Sequence, residues 1–199
     1  MTLAFPISDR PAADGTRSAS VLARIQVLDD LAAAEPVWRR LEQAGAAATP
    51  YQRYEWVAHW YHNVGLANGA APLIVVGLNR DDAAQFIVPL IVERRHGTRI
   101  ATFFGGSHSN LNMPIWTDDV AADLTQARLR AILGEIAAAH RIDLFALVGQ
   151  PPVWRGAPNP FARCRDSPPP TTSILGPSSR TSARGGRTCH RGCARKSAS

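Results

Sequence analysis

Three short apolar runs in the middle of the chain restrict the fold more than any other feature. They are "PLIVVGL" at 72–78, "AQFIVPLIV" at 84–92 and "TRIATFF" at 98–104, and the turn-forming segments "NRDD" and "ERRHG" separate them. Val, Ile and Phe favour strands, and connections this short join antiparallel neighbours. The pattern therefore predicts an antiparallel meander of three strands. Pro89 in the middle run predicts a strand end, a bulge or an edge position there.

Before the meander, the pattern predicts one strand and two helices. The alternation in "SVLARIQVLDDL" predicts a strand near 20–28. Pro36 suits the first turn of a helix over about 35–44, and Gly45 suits its end. The segment "TPYQRYEWVAHWYHNVG" predicts a second helix that ends at Gly65. Its apolar stripe consists of Tyr54, Val57, Ala58, Tyr61 and Val64.

After the meander, the pattern predicts a helix and a last strand. The Ala- and Leu-rich segment 118–140 predicts one long helix with Asp118 or Asp119 as its N-cap. The apolar run "IDLFALVG" at 142–149 predicts a buried strand, and the long helix before it suits a parallel crossover. The predicted order is β-α-α-β-β-β-α-β, an α/β fold with a mixed sheet.

Length and composition indicate one domain with two unlike ends. We expect 1–19 to be a loose leader and 20–162 to be the folded domain. We expect 163–199 to be a disordered tail, because Ile174 and Leu175 are its only large aliphatic residues and it has no aromatic residue. The tail holds 8 of the 22 Lys and Arg and 1 of the 16 Asp and Glu, so the net charge of +6 belongs to the tail.

Cysteine usage and hydropathy favour a cytoplasmic protein. Cys164, Cys189 and Cys193 all lie in the tail, so the domain has no disulfide framework. Pro6 and Asp9 stand where a signal peptide needs an uninterrupted apolar run. No stretch approaches the roughly 20 apolar residues of a membrane span. We therefore expect a cytoplasmic protein without a membrane span.

Four segments carry a resemblance to a known family. In order and spacing, "VWRRLEQAG", "TPYQRYEWVAHWYHNVG", "FIVPLIVERRHGTRIATFFGGSHSNLNMPI" and "IDLFALVGQ" resemble the N-terminal half of the CelD-type acetyltransferases associated with bacterial cellulose synthesis. The resemblance covers about 20–162 and implies a single GNAT-like unit. It also implies N-acyl transfer from acetyl-CoA or another acyl-CoA to an amine of a small molecule or a polysaccharide pathway. The acyl-CoA site is expected mainly in a second, C-terminal unit.

The cofactor motif of the GNAT superfamily has no match in this half. GNAT enzymes cradle the cofactor pyrophosphate in a loop of the form Q/R-x-x-G-x-G/A between a strand and a helix. The equivalent segment here, before 118–140, is "FFGGSHSNLNMPIW", which does not fit that form. We therefore expect no cofactor-binding residues in this unit, and little or no catalysis by this chain.

The tail and the open sheet leave two further expectations. Arg, Ser, Pro, Thr, Gly and Ala dominate 163–199, which is typical of a GC-rich coding sequence read out of frame. A frameshift that replaced the C-terminal half accounts for it. The alternative from a different functional class is a noncatalytic α/β binding or dimerisation module that self-associates through its unfinished sheet edge.

Polar residues in "GGSHSNLN" are the first candidate site. His108, Asn110 and Asn112 follow Gly105 and Gly106, which permit an unusual backbone that could direct these side chains to a substrate. The simpler interpretation is a polar strand-to-helix connection whose side chains bond their own backbone.

The second predicted helix offers two weaker candidates. Glu55 and His59 are four residues apart, so they could form a base with its orienting carboxylate, although surface helices supply such pairs by chance. Rings on the same segment could line a groove for a sugar or an acyl chain, but rings at helical spacing more often belong to a core. These rings are Tyr51, Tyr54, Trp56, Trp60 and Tyr61.

The tail motif "RTCHRGCARK" predicts neither a metal site nor a specific nucleic-acid site. Cys189, His190 and Cys193 supply three ligands where a zinc site normally needs four, and adjacent Cys and His do not match the usual spacing. Arginines can contact phosphates nonspecifically, but no aromatic residues stand between them to stack on bases.

Overall fold

The computed structural model describes residues 3–6 and 21–162. The predictions for most of the leader, for the tail 163–199, for its reading frame and for Cys189, His190 and Cys193 lie outside these residues. The described strands are β1 Leu3–Pro6, β2 Arg24–Leu28, β3 Ala71–Leu78, β4 Ala84–Arg95, β5 Thr98–Phe103, β6 Ile115–Trp116, β7 Leu144–Ala146, β8 Val153–Trp154 and β9 Ala157–Pro158. The described α-helices are α1 Leu31–Gln43, α2 Tyr54–Trp60, α3 Asp118–Ala121 and α4 Gln126–His140.

A mixed sheet confirms the predicted fold class. Its strand order is β1-β2-β3-β4-β5-β7, and β6 pairs with the start of β4. The neighbours from β1 to β5 are antiparallel, so the predicted meander is confirmed. The last pair, β5 and β7, is parallel, which confirms the predicted crossover. A separate two-stranded hairpin, β8 and β9, follows.

Helices cover both faces of the sheet, so the core has two apolar layers. Trp38 on α1 and Val57 on α2 are both fully buried in the first layer. Leu129, Ile132 and Ile136 on α4 are buried in the second. The sheet divides its side chains between the layers by alternation along each strand. On β4, for example, Ile87 and Ile91 belong to the first layer, and Phe86, Val88, Leu90 and Val92 to the second.

Helix α1 begins four residues before the predicted start. Asp30 caps it, because its carboxylate accepts a hydrogen bond from the backbone N–H of Ala32 at 2.9 Å. Pro36 therefore lies inside the helix and not in its first turn. Gly45 follows the helix at φ +75°, as a left-handed capping residue does, so the predicted end is correct.

The predicted helix over 118–140 is wrong as a single element. It divides into α3 and α4, and Thr125 caps α4 by accepting from the backbone N–H of Arg128 at 3.3 Å. Asp123 lies in the break, where its carboxylate accepts from the backbone N–H of Leu22 at 3.0 Å and pairs with Arg128 at 3.0 Å. These bonds hold the interruption in place.

Three strand predictions also need correction. Leu3–Pro6 forms a strand where a loose leader was expected, because it pairs with β2, in the register Leu3 to Val27 and Pro6 to Arg24, and so depends on a neighbour that is not local in sequence. The predicted buried strand 142–149 shortens to β7, whose Leu144 is 41% exposed at the sheet edge. Pro89 lies inside a continuous central strand. The strand pairing explains this, because β6 pairs only up to Ile87 and β5 pairs only from Leu90, so Pro89 faces a gap on that side.

Candidate functional site

The connection after β5 presses against α2, and Gly105 makes this approach possible. Gly105 has φ +96°, a conformation that L side chains rarely adopt. A Cβ atom added there would lie 2.6 Å from Cη2 of Trp56 and 2.9 Å from Cβ of Ser109. Both conformation and space therefore require glycine at this position.

His108 contacts the helix through an aromatic neighbour. The indole N–H of Trp60 donates to Nδ1 of His108 at 3.2 Å. A nitrogen that accepts carries no proton, so this bond places the proton of neutral His108 on Nε2. The side chain of His108 is otherwise exposed to solvent. His108 is therefore a surface histidine whose bond to Trp60 favours one tautomer. Among the described residues, no second polar side chain bonds to its ring.

Asn112 lies on the other side of the same connection. It is only 7% exposed, and its side-chain amide donates to the carbonyl of Val148 at 3.4 Å. Its backbone N–H donates to the carbonyl of Gly149 at 3.1 Å. Asn112 thus ties the connection to the segment after β7, whereas Asn110 is exposed. The three predicted polar residues do not converge on one point.

Glu55 and His59 do not form the predicted pair. Glu55 accepts from the guanidinium of Arg39 on α1, and this hydrogen bond lowers the pKa of the Glu55 carboxyl below its usual value. Arg39 also binds Glu35 at 3.2 Å and lies 4.8 Å from the ring centroid of Tyr54. His59 is exposed, and its carbonyl accepts from the side chain of Asn63. The network around Arg39 joins α1 to α2.

The aromatic side chains of this region pack against one another. Trp60 and Tyr61 meet Phe104 edge to face, with ring centroids 6.1 and 5.9 Å apart. Tyr51 and Trp56 form a similar pair at 5.3 Å. The hydroxyl of buried Tyr54 donates to the carbonyl of Leu31 at 3.3 Å. These contacts agree with the core interpretation of the rings.

Gln52, a polar residue with a central position, was not among the residues predicted from the sequence. Gln52 is buried, its side-chain amide donates to the carbonyl of Leu111 at 3.0 Å, and its own carbonyl accepts from the indole of Trp38 at 2.9 Å. Its side-chain oxygen accepts from the backbone and hydroxyl of Thr49, which completes a capping box. The segment "TPYQ" is the signal, since Thr followed by Gln three residues later marks such a box.

Within residues 21–162, the polar side chains of the connection do not converge on a common ligand site. A shallow hollow of about 320 Å³ lies elsewhere, between the end of α1 and the start of α3. It is lined by Ala44, Gly45, Ala46, Thr117, Asp118 and Asp119. Among residues 21–162, no three His, Cys, Asp or Glu side chains are grouped as metal ligands would be. No helix in the described part of the chain combines the length and apolar character that crossing a membrane requires.

Comparisons with known proteins return no relative of this chain: no family model, no curated protein and no solved structure matches it.

Proposed function

We propose that residues 20–162 form one GNAT-like unit of an acyl-CoA-dependent N-acyltransferase, and that this unit does not itself carry out acyl transfer. The observation that supports the proposal is the order of elements around the sheet. A helix pair, α1 and α2, lies between β2 and β3, and a helical crossover joins β5 to the parallel strand β7. This is the arrangement that the resemblance to CelD-type acetyltransferases implies.

The chemistry proposed for the intact enzyme is a direct transfer. The nitrogen of the amine acceptor attacks the thioester carbonyl of acetyl-CoA or another acyl-CoA, a base accepts the amine proton, and the CoA thiolate leaves. The acceptor is an amine of a small molecule or of a polysaccharide pathway, as the resemblance implies. The cofactor site belongs to the second unit.

Two features support a noncatalytic role for this unit: the bonding of polar groups where β5 and β7 end, which we call the junction, and the length of α3. The hydroxyl of Thr102 donates to the carbonyl of Ala146 at 3.2 Å, and Asn112 closes the junction beyond it. The polar groups there are used for internal bonds. Moreover, the helix that follows the connection, α3, has only four residues, so it supplies little of the dipole that favours a bound pyrophosphate.

Two measurements test this proposal. Resequencing the gene across the codons for Ala162 and Arg163 should reveal another frame that continues into an apolar, periodic unit with a glycine loop of the form Q/R-x-x-G-x-G/A. Purified protein should release no CoA from acetyl-CoA in the presence of amines. Amine-dependent CoA release that His108→Ala abolishes would contradict the noncatalytic role. A confirmed frame with no coherent continuation would remove the support for the enzyme.

The edge at β7 favours a second candidate function, a dimerisation module. Within the described residues β7 pairs only with β5, so its other edge is unpaired, and Leu144 and Val148 beside it are 41% and 62% exposed. Sedimentation over a range of concentrations should then give dimers that Leu144→Lys disrupts. Leu66→Lys is the matched control, because Leu66 is 52% exposed and follows the π-helical segment Tyr61–Gly65, away from β7. A monomer at every concentration excludes this function.

A further inference from the structure

We propose that Arg94, Arg99 and Arg141 form a binding site for the phosphate group of a small phosphorylated molecule. The three arginines lie where the β4–β5 hairpin meets the end of α4. This basic corner is independent of the acyl-transfer proposal, since none of its residues belongs to the connection between β5 and α3.

The first observation is a pair of like charges. Arg94 on β4 and Arg99 on β5 are direct partners in the antiparallel register. Alternation along the strands places them on the same face as Val92 and Ala101, which pack in the layer that α4 covers. Like charges directly opposite each other destabilise a sheet. The fold therefore tolerates a local electrostatic cost at this corner.

The second observation is that Arg99 is held in place by the backbone of α4. Its Nε donates to the carbonyl of Arg141 at 3.0 Å, and a terminal guanidinium nitrogen donates to the carbonyl of His140 at 3.4 Å. These bonds satisfy carbonyls at the end of the helix without neutralising the guanidinium charge. They also place the guanidinium of Arg99 beside the backbone of Arg141.

The third observation is the conformation of Arg141. It ends α4 in the left-handed region, at φ 53° and ψ 48°, and its side chain is exposed. Glycine is the usual residue there, because an L side chain is unfavourable in that region. An arginine at this position is therefore a departure from the local rule, and such departures concentrate at functional sites.

Nearby carboxylates leave the corner incompletely neutralised. Asp143 accepts from the backbone N–H of Arg99 at 2.7 Å, so its carboxylate lies at the corner and offsets only one of the three arginine charges. Glu93 pairs with Arg95, whose Nε donates to it at 2.9 Å. Neither Arg94 nor Arg141 has an ion pair within 4.0 Å in the part of the chain that the structure describes. The corner therefore has positive charge available for a ligand.

Phosphate is the group that this arrangement suits. The planar guanidinium presents paired donors that match phosphate oxygens, and a bound anion would offset the repulsion between Arg94 and Arg99. Residues 21–162 contain 12 arginines, no lysine and 13 acidic residues, so the domain has no excess of positive charge. Since a nucleic-acid duplex needs a broad basic surface, a compact corner favours a small ligand.

Titration calorimetry with pyrophosphate, at constant ionic strength in chloride buffer, tests the site. Wild-type protein should bind, and both Arg94→Gln and Arg141→Gly should lower the affinity by about tenfold or more, as expected for the loss of one charge-assisted contact. Arg80→Gln is the matched control, because Arg80 is exposed in the β3–β4 turn and should leave binding unchanged.

Thermal melting separates a lost site from a damaged fold. In phosphate-free buffer, Arg94→Gln and Arg141→Gly should melt at or above the wild-type temperature, since they remove a like-charge pair and a strained conformation. Adding pyrophosphate should raise the melting temperature of wild type and Arg80→Gln by more than that of Arg94→Gln and Arg141→Gly. Three results would overturn the proposal: no binding to wild type, equal affinities in all four proteins, or binding to duplex DNA but not to pyrophosphate.

Discussion

The two ends of the β5–β7 strand pair use polar residues in opposite ways. At the carboxyl end, Asn112 is buried and bonded to the carbonyls of Val148 and Gly149. At the amino end, Arg94 and Arg141 are exposed, and Nε2 of half-buried His140 has no hydrogen-bond partner. One end satisfies its polar groups internally, and the other exposes arginine charge and leaves a buried imidazole nitrogen without a partner among the described residues.

This difference shows how to separate structural from functional polar residues. A buried polar group without a partner costs free energy, so a polar side chain that completes a closed junction is explained by folding alone. Asn112 is such a residue. Side chains that oppose like charges or occupy strained conformations have no such explanation, and Arg94 and Arg141 belong to this second kind.

The largest effect is expected at the carboxyl end of the strand pair, from Gly105→Ala. The new methyl group would meet Trp56 at 2.6 Å, and the backbone would keep its φ of +96°. Overpacking and the unfavourable conformation together should lower the free energy of unfolding by about 3 kcal/mol. Urea denaturation measures this loss. Gly106→Ala is the control. Its φ of +48° also lies in the left-handed region, so it shares the conformational cost, but its Cβ would meet nothing within 4 Å. Equal losses in the two variants would show that the connection does not press on α2.

A smaller effect is expected from Asn112→Ala. The change removes the amide that donates to Val148 and leaves a small cavity, so we expect a loss of about 1–2 kcal/mol in the free energy of unfolding. Asn110→Ala, two residues away and exposed, should change stability by less than about 0.5 kcal/mol. If both variants unfold at the same urea concentration as wild type, Asn112 does not close the junction.

The parts of the fold that local patterns determine were predictable. The meander follows from β-branched runs between short turns, and the capping of α1 by Gly45 follows from its position. The break between α3 and α4 has one local signal, the N-cap Thr125, but the bond from Leu22 to Asp123, which is 101 residues away, is not visible in a local pattern. The short length of β7 likewise depends on the tertiary neighbours at the sheet edge.

The candidate site illustrates the same limit. The residues of "GGSHSNLN" stand out in the sequence, but the separate directions of His108 and Asn112 depend on Trp60 and on the segment after β7. In the basic corner, the structure shows a turn at His96 and Gly97, both at positive φ, which sets Arg94 opposite Arg99, whereas the sequence analysis placed Arg94 in the turn segment. Only the three-dimensional structure places the backbone of Arg141 beside the guanidinium of Arg99.

The smallest effect is expected at the amino end of the β5–β7 strand pair, where a more acidic pH should destabilise the protein because His140 is protonated more readily in the unfolded chain. Burial lowers the pKa of His140 below 6.5, Arg99 acts in the same direction, and the carboxylate of Asp29 partly opposes them. The folded state therefore favours the neutral imidazole, and the unfolded chain binds the proton more readily. The contribution of neutral His140 to the free energy of unfolding is complete above pH 6.5, and it falls as the pH drops through that value towards the lower pKa of the folded state.

Because the effect resides in one half-buried side chain, it should be visible as a difference between variants. Between pH 7.5 and 5.0, wild-type protein should lose more unfolding free energy in urea than His140→Gln, whose side chain does not titrate. An equal loss in the two proteins would mean that the pKa of His140 is the same in the folded state and in the unfolded chain. The contrast between the two ends would then rest on the arginines alone.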